Sequence, residues 1–178
     1  MANTTFQGPV ISKNGFYSTG PGNVVDADAS VSLTVATHAG RIVHNDAAGA
    51  VTYTLPAINA NADSAVAGPG SDLNNQSNIG ATFEIFASVT KTGSLIVKVA
   101  NANDVMVGGA KLIDDTADNI VGFETVAASD TITLNGSTTG GVTFSKIVCT
   151  AISSTQWKVD VESGCTGTPA TPFSAAVS

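Results

Sequence analysis

Apolar residues along the chain recur mostly at every second position, the spacing of a β-strand with one buried and one exposed face. The alternation is clearest where Trp157, Val159 and Val161 share one face and polar residues occupy the other. Further alternating runs lie at 31–35, 51–55, 82–86, 95–99 and 131–134. The pattern predicts an all-β protein, built as an antiparallel β-sandwich or jelly-roll-like domain. It also predicts that Trp157 lies in the core, against the rival interpretation of a surface platform for sugar stacking.

Short turn-forming segments between the runs predict three hairpins. Asn45–Gly49 connects runs near 41–45 and 51–55, Lys91–Gly93 connects 81–90 and 94–100, and Ser153-Ser154 connects 142–152 and 155–162. In the third hairpin the expected register places Thr150 opposite Trp157. The aromatic residues within the alternating strands, Phe144 among them, are core candidates. The chain carries no solenoid repeat.

The composition divides the chain into three parts. We expect an extended N-terminal arm over 1–22, the sandwich over 23–162 and an extended C-terminal tail over 163–178, because both ends are rich in Pro, Gly and small polar residues. Residues 57–79, centred on Gly68-Pro69-Gly70, predict a long loop within the domain. Loops of that length in a compact domain are usually functional or held by a neighbour.

Apolar residues in the arm and tail are the candidate partner-binding residues. They are Phe6, Pro9, Phe16 and Phe173. An aromatic side chain on an extended arm can anchor into a pocket of a neighbouring subunit. The alternative is that the three Phe side chains fold back onto their own domain.

The net charge of the chain and the distribution of its basic residues bear on which macromolecules it can bind. The chain has 7 basic and 14 acidic residues, a formal net charge of −7, and its basic residues are scattered rather than clustered. Binding to nucleic acid needs several basic groups on one surface. We therefore expect no DNA or RNA partner. We also expect no membrane segment and no signal peptide, since the start lacks a basic region followed by an apolar one.

Residues able to support chemistry are few and poorly placed for it. His38 and His44 lie six positions apart with no nucleophile motif such as GxSxG beside them. Asp114, Asp115 and Asp118 form the densest acidic patch, which is either a solvated loop or a weak calcium or sodium site between subunits. We expect no catalytic residue, no cofactor and no resident metal.

The two cysteines are expected to be free thiols. Cys149 and Cys165 fit neither a CxxC pair nor a metal-ligand spacing with the histidines. The expected hairpin register places Cys165 opposite Val142, far from Cys149. A disulfide requires Cα atoms within about 7 Å of each other.

Two segments resemble structural proteins of tailed bacteriophages. The opening TTFQGPVISKNGF, Thr4–Phe16, is similar to the start of small virion proteins. The body, with Gly40–Val43, Val51–Pro56, Gly80–Phe83 and Gln156–Val159, resembles a β module of phage head and tail proteins. The resemblance implies a capsid decoration (cement) protein on the virion surface, made in the host cytoplasm. It also implies a homotrimer bound to the major capsid protein.

Two other functions compete with decoration of the capsid. A phage tail or fibre component with a receptor- or glycan-contacting role would be favoured by exposed aromatic residues in a loop groove. A small glycan hydrolase would need two carboxylates facing each other at roughly 5–9.5 Å. Only three Glu residues, Glu84, Glu124 and Glu162, are present for that purpose.

Overall fold

The computed structural model describes residues 23–59 and 78–177. The expected arm over 1–22 and most of the 57–79 loop lie outside the described residues. Within them the chain is almost entirely β-structure, which confirms the all-β class. The elements are β1 (Val24–Asp26), β2 (Val31–Ser32), α1 (Val35–His38), β3 (Ile42–Asn45), β4 (Val51–Thr54), β5 (Thr82–Ala87), β6 (Leu95–Lys98), β7 (Val105–Asp114), β8 (Asn119–Glu124), β9 (Thr131–Leu134), β10 (Val142–Ala151), β11 (Gln156–Cys165) and β12 (Phe173–Ser174).

The strands form two sheets that pack face to face, which confirms the sandwich. Sheet A has the order β1-β3-β5-β10-β11-β7-β8, and sheet B has the order β12-β9-β6-β4-β2. Both inner faces contribute to one apolar core. Trp157, Val159 and Val161 are completely buried, as the alternation in β11 predicts. The Trp157 ring meets Phe83 edge-on, with ring centroids 5.8 Å apart.

The pairing within the sheets is mixed, so the expectation of antiparallel sheets is wrong. Parallel pairs join β1 to β3, β3 to β5, β2 to β4, β4 to β6 and β7 to β11. Two of the expected hairpins are wrong for the same reason. The segments 46–50 and 88–94 each lead from sheet A to sheet B, so β3 and β4, like β5 and β6, face each other across the core.

The third hairpin is confirmed. Strands β10 and β11 are antiparallel neighbours, with Ala151 opposite Trp157 and Thr150 opposite Lys158. The observed register therefore differs by one residue from the expected pairing of Thr150 with Trp157. Cys149 pairs with Val159 in this hairpin, while Cys165 pairs with Asp114 of β7. Both cysteines are free, as predicted, and both are buried.

Strands β1 to β6 and the arches between them form what we call the arch stack: three strand–arch–strand units, β1–β2, β3–β4 and β5–β6, whose arches are 27–30, 46–50 and 88–94. Each arch bonds to the next. Asp28 Oδ1 accepts hydrogen bonds from the backbone N–H of Asp46 and Ala47, at 2.9 and 3.2 Å. The backbone N–H of Thr92 donates to the carbonyl of Ala48 at 2.7 Å. The stack is thus solenoid-like although the sequence shows no repeat, because side chains that differ from arch to arch, together with backbone groups, make the arch–arch hydrogen bonds.

Two segments depart from the expected boundaries. β11 continues to Cys165, beyond the expected end of the domain at 162. After it, Phe173 pairs with Ile132 of β9, so the segment expected to be an extended tail adds a strand to sheet B. Earlier in the chain, the run expected over 31–35 ends at Ser32, and Val35 instead begins the short helix α1.

Candidate functional site

The structure removes one of the four candidate partner-binding residues and leaves three untested. Phe6, Pro9 and Phe16 lie outside the described residues. Phe173 is only 8% exposed and belongs to the core of its own domain. The alternative, that this side chain folds back, is therefore the right one for Phe173, because its strand completes sheet B.

The acidic patch does not form a metal centre within the described residues, which contain no group of three or more His, Cys, Asp or Glu side chains placed to hold a metal ion. Asp114 is buried at the end of β7, and its Oδ1 accepts a hydrogen bond from the backbone N–H of Thr116 at 2.8 Å. This carboxylate therefore shapes the turn between β7 and β8.

The histidines have separate structural surroundings. His38 is buried in α1, and its Nδ1 accepts a hydrogen bond from the backbone N–H of Thr34 at 3.0 Å. His44 lies between two polar side chains: its Nδ1 is 3.2 Å from Asp26 Oδ1, and its Nε2 is 2.9 Å from Ser88 Oγ. Sequence reasoning missed this second group because parallel pairing of β1, β3 and β5 brings together residues that are 18 and 44 positions apart.

The order Asp26–His44–Ser88 is that of the groups in serine hydrolases, but its environment differs from theirs. In such enzymes a buried carboxylate orients the imidazole, and backbone donors stabilise the oxyanion. Here the side chain of Asp26 is 68% exposed, so water competes for its oxygens. The contacts connect three neighbouring strands, and they do not by themselves supply a hydrolytic site.

A different surface stands out around Phe144, on the outer face of sheet A. The register of β10 with β11 shifts between Val142 and Lys146, and Phe144 has a φ of +66° at this bulge. A bulky residue in the left-handed region is a strained outlier. The side chain remains 47% exposed and covers Gly164, where a Cβ would lie 3.1 Å from Phe144 Cζ.

Apolar side chains continue from Phe144 across the sheet. Gly164 pairs with Ile113 of β7, and Ile113 pairs with Ile120 of β8. Ile120 is 68% exposed, while the neighbouring positions in β7 point into the core. We call Phe144, Ile113 and Ile120 the outer apolar row. Exposed rows of this kind on a polar face are typical of interaction surfaces.

The outer apolar row ends at an open sheet edge. β8 is the last strand of sheet A, so among the described residues no strand pairs with its outer side. An unpaired edge offers backbone donors and acceptors to another chain. The middle of the same face is charged, with Lys146 Nζ 2.9 Å from Glu84 Oε1. That hydrogen bond raises the pKa of Lys146 and keeps the centre of the face polar.

Phe144 was expected in the core, and this expectation is wrong. The inward positions of β10 are Ile147, Cys149 and Ala151, all odd-numbered. Phe144 is out of phase with them, and the bulge holds it outward. The sequence carries only a weak signal of this, since Val142 and Val148 are apolar residues in the same phase as Phe144.

Comparisons with known protein families, curated proteins and solved structures find no match for this chain. In the part of the chain that the structure describes, no helix is long and apolar enough to cross a membrane.

Proposed function

We propose that this chain is a non-enzymatic structural protein of a bacteriophage virion, which binds the assembled head shell as a decoration (cement) protein. The observation that carries the proposal is the exposure of the Phe144 ring, which a strained backbone conformation holds on the surface. Strain of this kind persists only where the surrounding structure fixes it, and it clusters at functional positions. Contact of the Phe144 ring with a partner protein would explain why the strained conformation is kept.

The outer apolar row suits a binding role in size and position. Interface energy is concentrated in a few aromatic and aliphatic anchors surrounded by polar residues. Phe144 and Ile120 are such anchors, and the charged centre of sheet A lies beside them. A protein that binds the assembled shell and not its separated subunits stabilises the shell by mass action.

The net charge supports an outer location on the head. With a charge of −7 and scattered basic residues, the chain is repelled by phosphate groups. A decoration protein needs affinity for shell protein alone, and indifference to packaged or free DNA follows from the same charge. The resemblance of Thr4–Phe16 to the opening of phage virion proteins points in the same direction.

We further propose that the protein acts as a homotrimer and that the open edge at β8 contributes to the contact between copies. The edge strand and Ile120 lie together, so one surface offers both backbone hydrogen bonds and apolar area. Native mass spectrometry of the full-length protein measures the number of copies directly. A monomer at micromolar concentration would contradict the trimer.

The tail or fibre alternative gains no support from the described residues. Exposed aromatic residues in a loop groove would favour it, and Trp157, the residue considered as a surface platform for sugar stacking, is completely buried. Phe144, the exposed aromatic residue on sheet A, lies on a sheet face rather than in a loop groove. Location in the particle remains the direct way to separate the two proposals.

The test combines location and binding. Gold-labelled antibody on intact virions is expected to mark heads, and labelling of tails would replace decoration by the tail alternative. Sedimentation with shells that lack this protein then compares Phe144→Ser with Val24→Ser, a matched loss of an exposed apolar side chain at the opposite edge of sheet A. We expect tenfold or more weaker binding for Phe144→Ser, since a central anchor contributes about 1.4 kcal/mol or more. Equal binding by both variants would show that the row is not the contact.

A further inference from the structure

A lysine side chain lies inside the arch stack. Lys91, in the third arch, is only 3% exposed. Its Nζ donates a hydrogen bond to Asn45 Oδ1 at 2.7 Å and another to the backbone carbonyl of Ala47. Both acceptors are neutral oxygens, so neither compensates a buried positive charge as a carboxylate would. Lysine rarely occupies such a position.

The amide that faces Lys91 is fixed from its other side. Asn45 is completely buried at the end of β3. Its Nδ2 donates to the carbonyl of Ala27 and to the hydroxyl of Tyr53, both at 3.0 Å. The Tyr53 hydroxyl in turn donates to the carbonyl of Ala27. The carboxamide oxygen is thus directed at the lysine, and the carboxamide nitrogen is directed at a phenol.

The backbone of Lys91 is held just as firmly. Its N–H donates to the carbonyl of Gly141 at 2.8 Å. Gly136, with φ of +80°, packs so closely that a Cβ there would lie 1.8 Å from the carbonyl oxygen of Lys91. The backbone of Lys91 is therefore fixed by the loop around Gly136, while hydrogen bonds to Asn45 and Ala47 hold its Nζ inside the arch stack. Amine and amide are thus kept together, which is the condition for an intramolecular reaction with a high effective concentration.

We propose that Lys91 and Asn45 are joined by an intramolecular isopeptide bond that forms after folding. The neutral amine Nζ attacks Cγ of Asn45, forming a C–N bond and a tetrahedral centre. The bond between Cγ and Nδ2 then breaks. One proton moves from Nζ to the departing nitrogen, which leaves as ammonia. The product is a secondary amide between the two side chains, and no oxidant, reductant or further reactant is consumed.

The surroundings supply the two functions that this step needs. Burial lowers the pKa of Lys91, against the opposing effect of the exposed carboxylate of Asp28, and so favours the nucleophilic neutral amine. Burial also raises the pKa of Tyr53 to about 12, so its hydroxyl keeps its proton. Because that hydroxyl is within hydrogen-bond distance of Nδ2, it is placed to protonate the leaving nitrogen, and the proton that Nζ loses on forming the amide restores the phenol.

The bond would connect two arches covalently. Asn45 ends β3, where the second arch begins, and Lys91 lies within the third arch, 46 positions along the chain. The existing connection between these arches consists of hydrogen bonds such as Thr92 N–H to Ala48 O. A side-chain amide here would prevent the second and third arches from separating.

Mass spectrometry of the denatured full-length protein tests the proposal directly. We expect the intact mass to be lower than the sequence mass by one ammonia. Trypsin should cut after Arg41 and Lys98 but not after the acylated Lys91. The peptide 42–98, lacking one ammonia, should therefore replace the peptide 42–91. The peptide assignment also separates this bond from succinimide formation at Asn135-Gly136, which removes ammonia without blocking cleavage at Lys91.

Matched variants complete the test. Asn45→Ala and Lys91→Arg should both show the full sequence mass and cleavage after residue 91. Tyr53→Phe retains the ring and removes the phenol, so it should form the bond more slowly after refolding, and an unchanged rate would assign Tyr53 a packing role only. Wild-type protein that keeps its full mass and is cut after Lys91, even after prolonged incubation of the folded protein, would overturn the proposal.

Discussion

The two ends of sheet A differ in what their side chains contact. At the β1–β3–β5 end, polar side chains bond to one another: His44 contacts Asp26 and Ser88, and Asn45 contacts Lys91. At the β7–β8 end, apolar side chains point to solvent, with Ile120 68% exposed. Both ends finish in an edge strand, β1 or β8, and Val24 of β1 is exposed too, but the β7–β8 end carries the larger apolar exposure, where Ile120 continues the outer apolar row.

The difference follows from how each end is connected. In the arch stack successive strands lie in opposite sheets, and neighbouring units are joined by parallel ladders in both sheets and by contacts between arches, to which polar side chains and backbone both contribute. At the other end, β7 and β8 form a hairpin whose ten- and six-residue strands already bond to each other along their length. Its outer face needs no internal partner. We infer that the polar contacts of the β1–β3–β5 end stabilise the fold, and that the exposed apolar residues of the β7–β8 end contact a partner.

The largest expected effect comes from the core that both ends share. Trp157 lies in β11, between the two ends, and packs against Phe83. Trp157→Ala is expected to lower the free energy of unfolding by about 3–5 kcal/mol, the usual cost of truncating a buried aromatic residue. Denaturant unfolding measures the loss. An unchanged midpoint would contradict the placement of Trp157 in the core.

The next effect is confined to the arch stack. With the isopeptide bond present, Lys91→Met opens a covalent loop of 46 residues, whose closure contributes about 4 kcal/mol in the chain-entropy description of cross-links. We expect a lower melting temperature for Lys91→Met. Lys158→Met, at an exposed position of β11, is the matched control and should melt like the wild type. Equal melting temperatures of the wild type, Lys91→Met and Lys158→Met would show that Lys91 contributes to stability only through its side-chain volume.

The sequence predicts this fold only in part, and the arch stack shows why. Alternation reports which face of a strand is buried, and it correctly predicts the sandwich and the burial of Trp157. It does not report which sheet the next strand joins. A five-residue connection such as 46–50 can turn back within a sheet or cross to the facing one, and both outcomes bury Val51 and Tyr53. Parallel pairing was missed for this reason.

The sites were predictable to different degrees. The exposure of Phe144 could have been inferred, though only weakly, because its position is out of phase with Ile147 and Cys149. The contact of Lys91 with Asn45 could not, because it requires the arch-to-arch register of two units that share no identical residue at their paired strand positions. Phe173 was misjudged because a two-residue strand leaves almost no periodic signal.

A smaller effect is expected for Phe144→Gly, a variant that separates the contribution of the outer apolar row to binding from its contribution to stability. Glycine adopts positive φ without strain, whereas a bulky residue there costs on the order of 1–2 kcal/mol. Phe144→Gly should therefore unfold at an equal or slightly higher denaturant concentration than the wild type, although it loses the ring over Gly164. The same variant should bind shells more weakly. Marked destabilisation of Phe144→Gly would mean that the ring serves the fold and not a partner.

The smallest effect is a difference in rate between the two thiols. Burial raises the pKa of Cys149 to about 12 and also raises the pKa of Cys165, which two nearby carboxylates, Asp114 and Asp115, raise further. Because the thiolate is the reactive form, alkylation of the folded protein at pH 8 should be slow at both sites. Cys165 ends β11 beside the end of β7, where strands fray, so it should react before Cys149, which pairs within the β10–β11 hairpin. Peptide mapping after timed alkylation measures both rates, and denatured, unreduced protein should yield two free thiols. Faster labelling of Cys149 would show that the middle of sheet A opens more readily than the strand ends beside β7, contrary to this prediction.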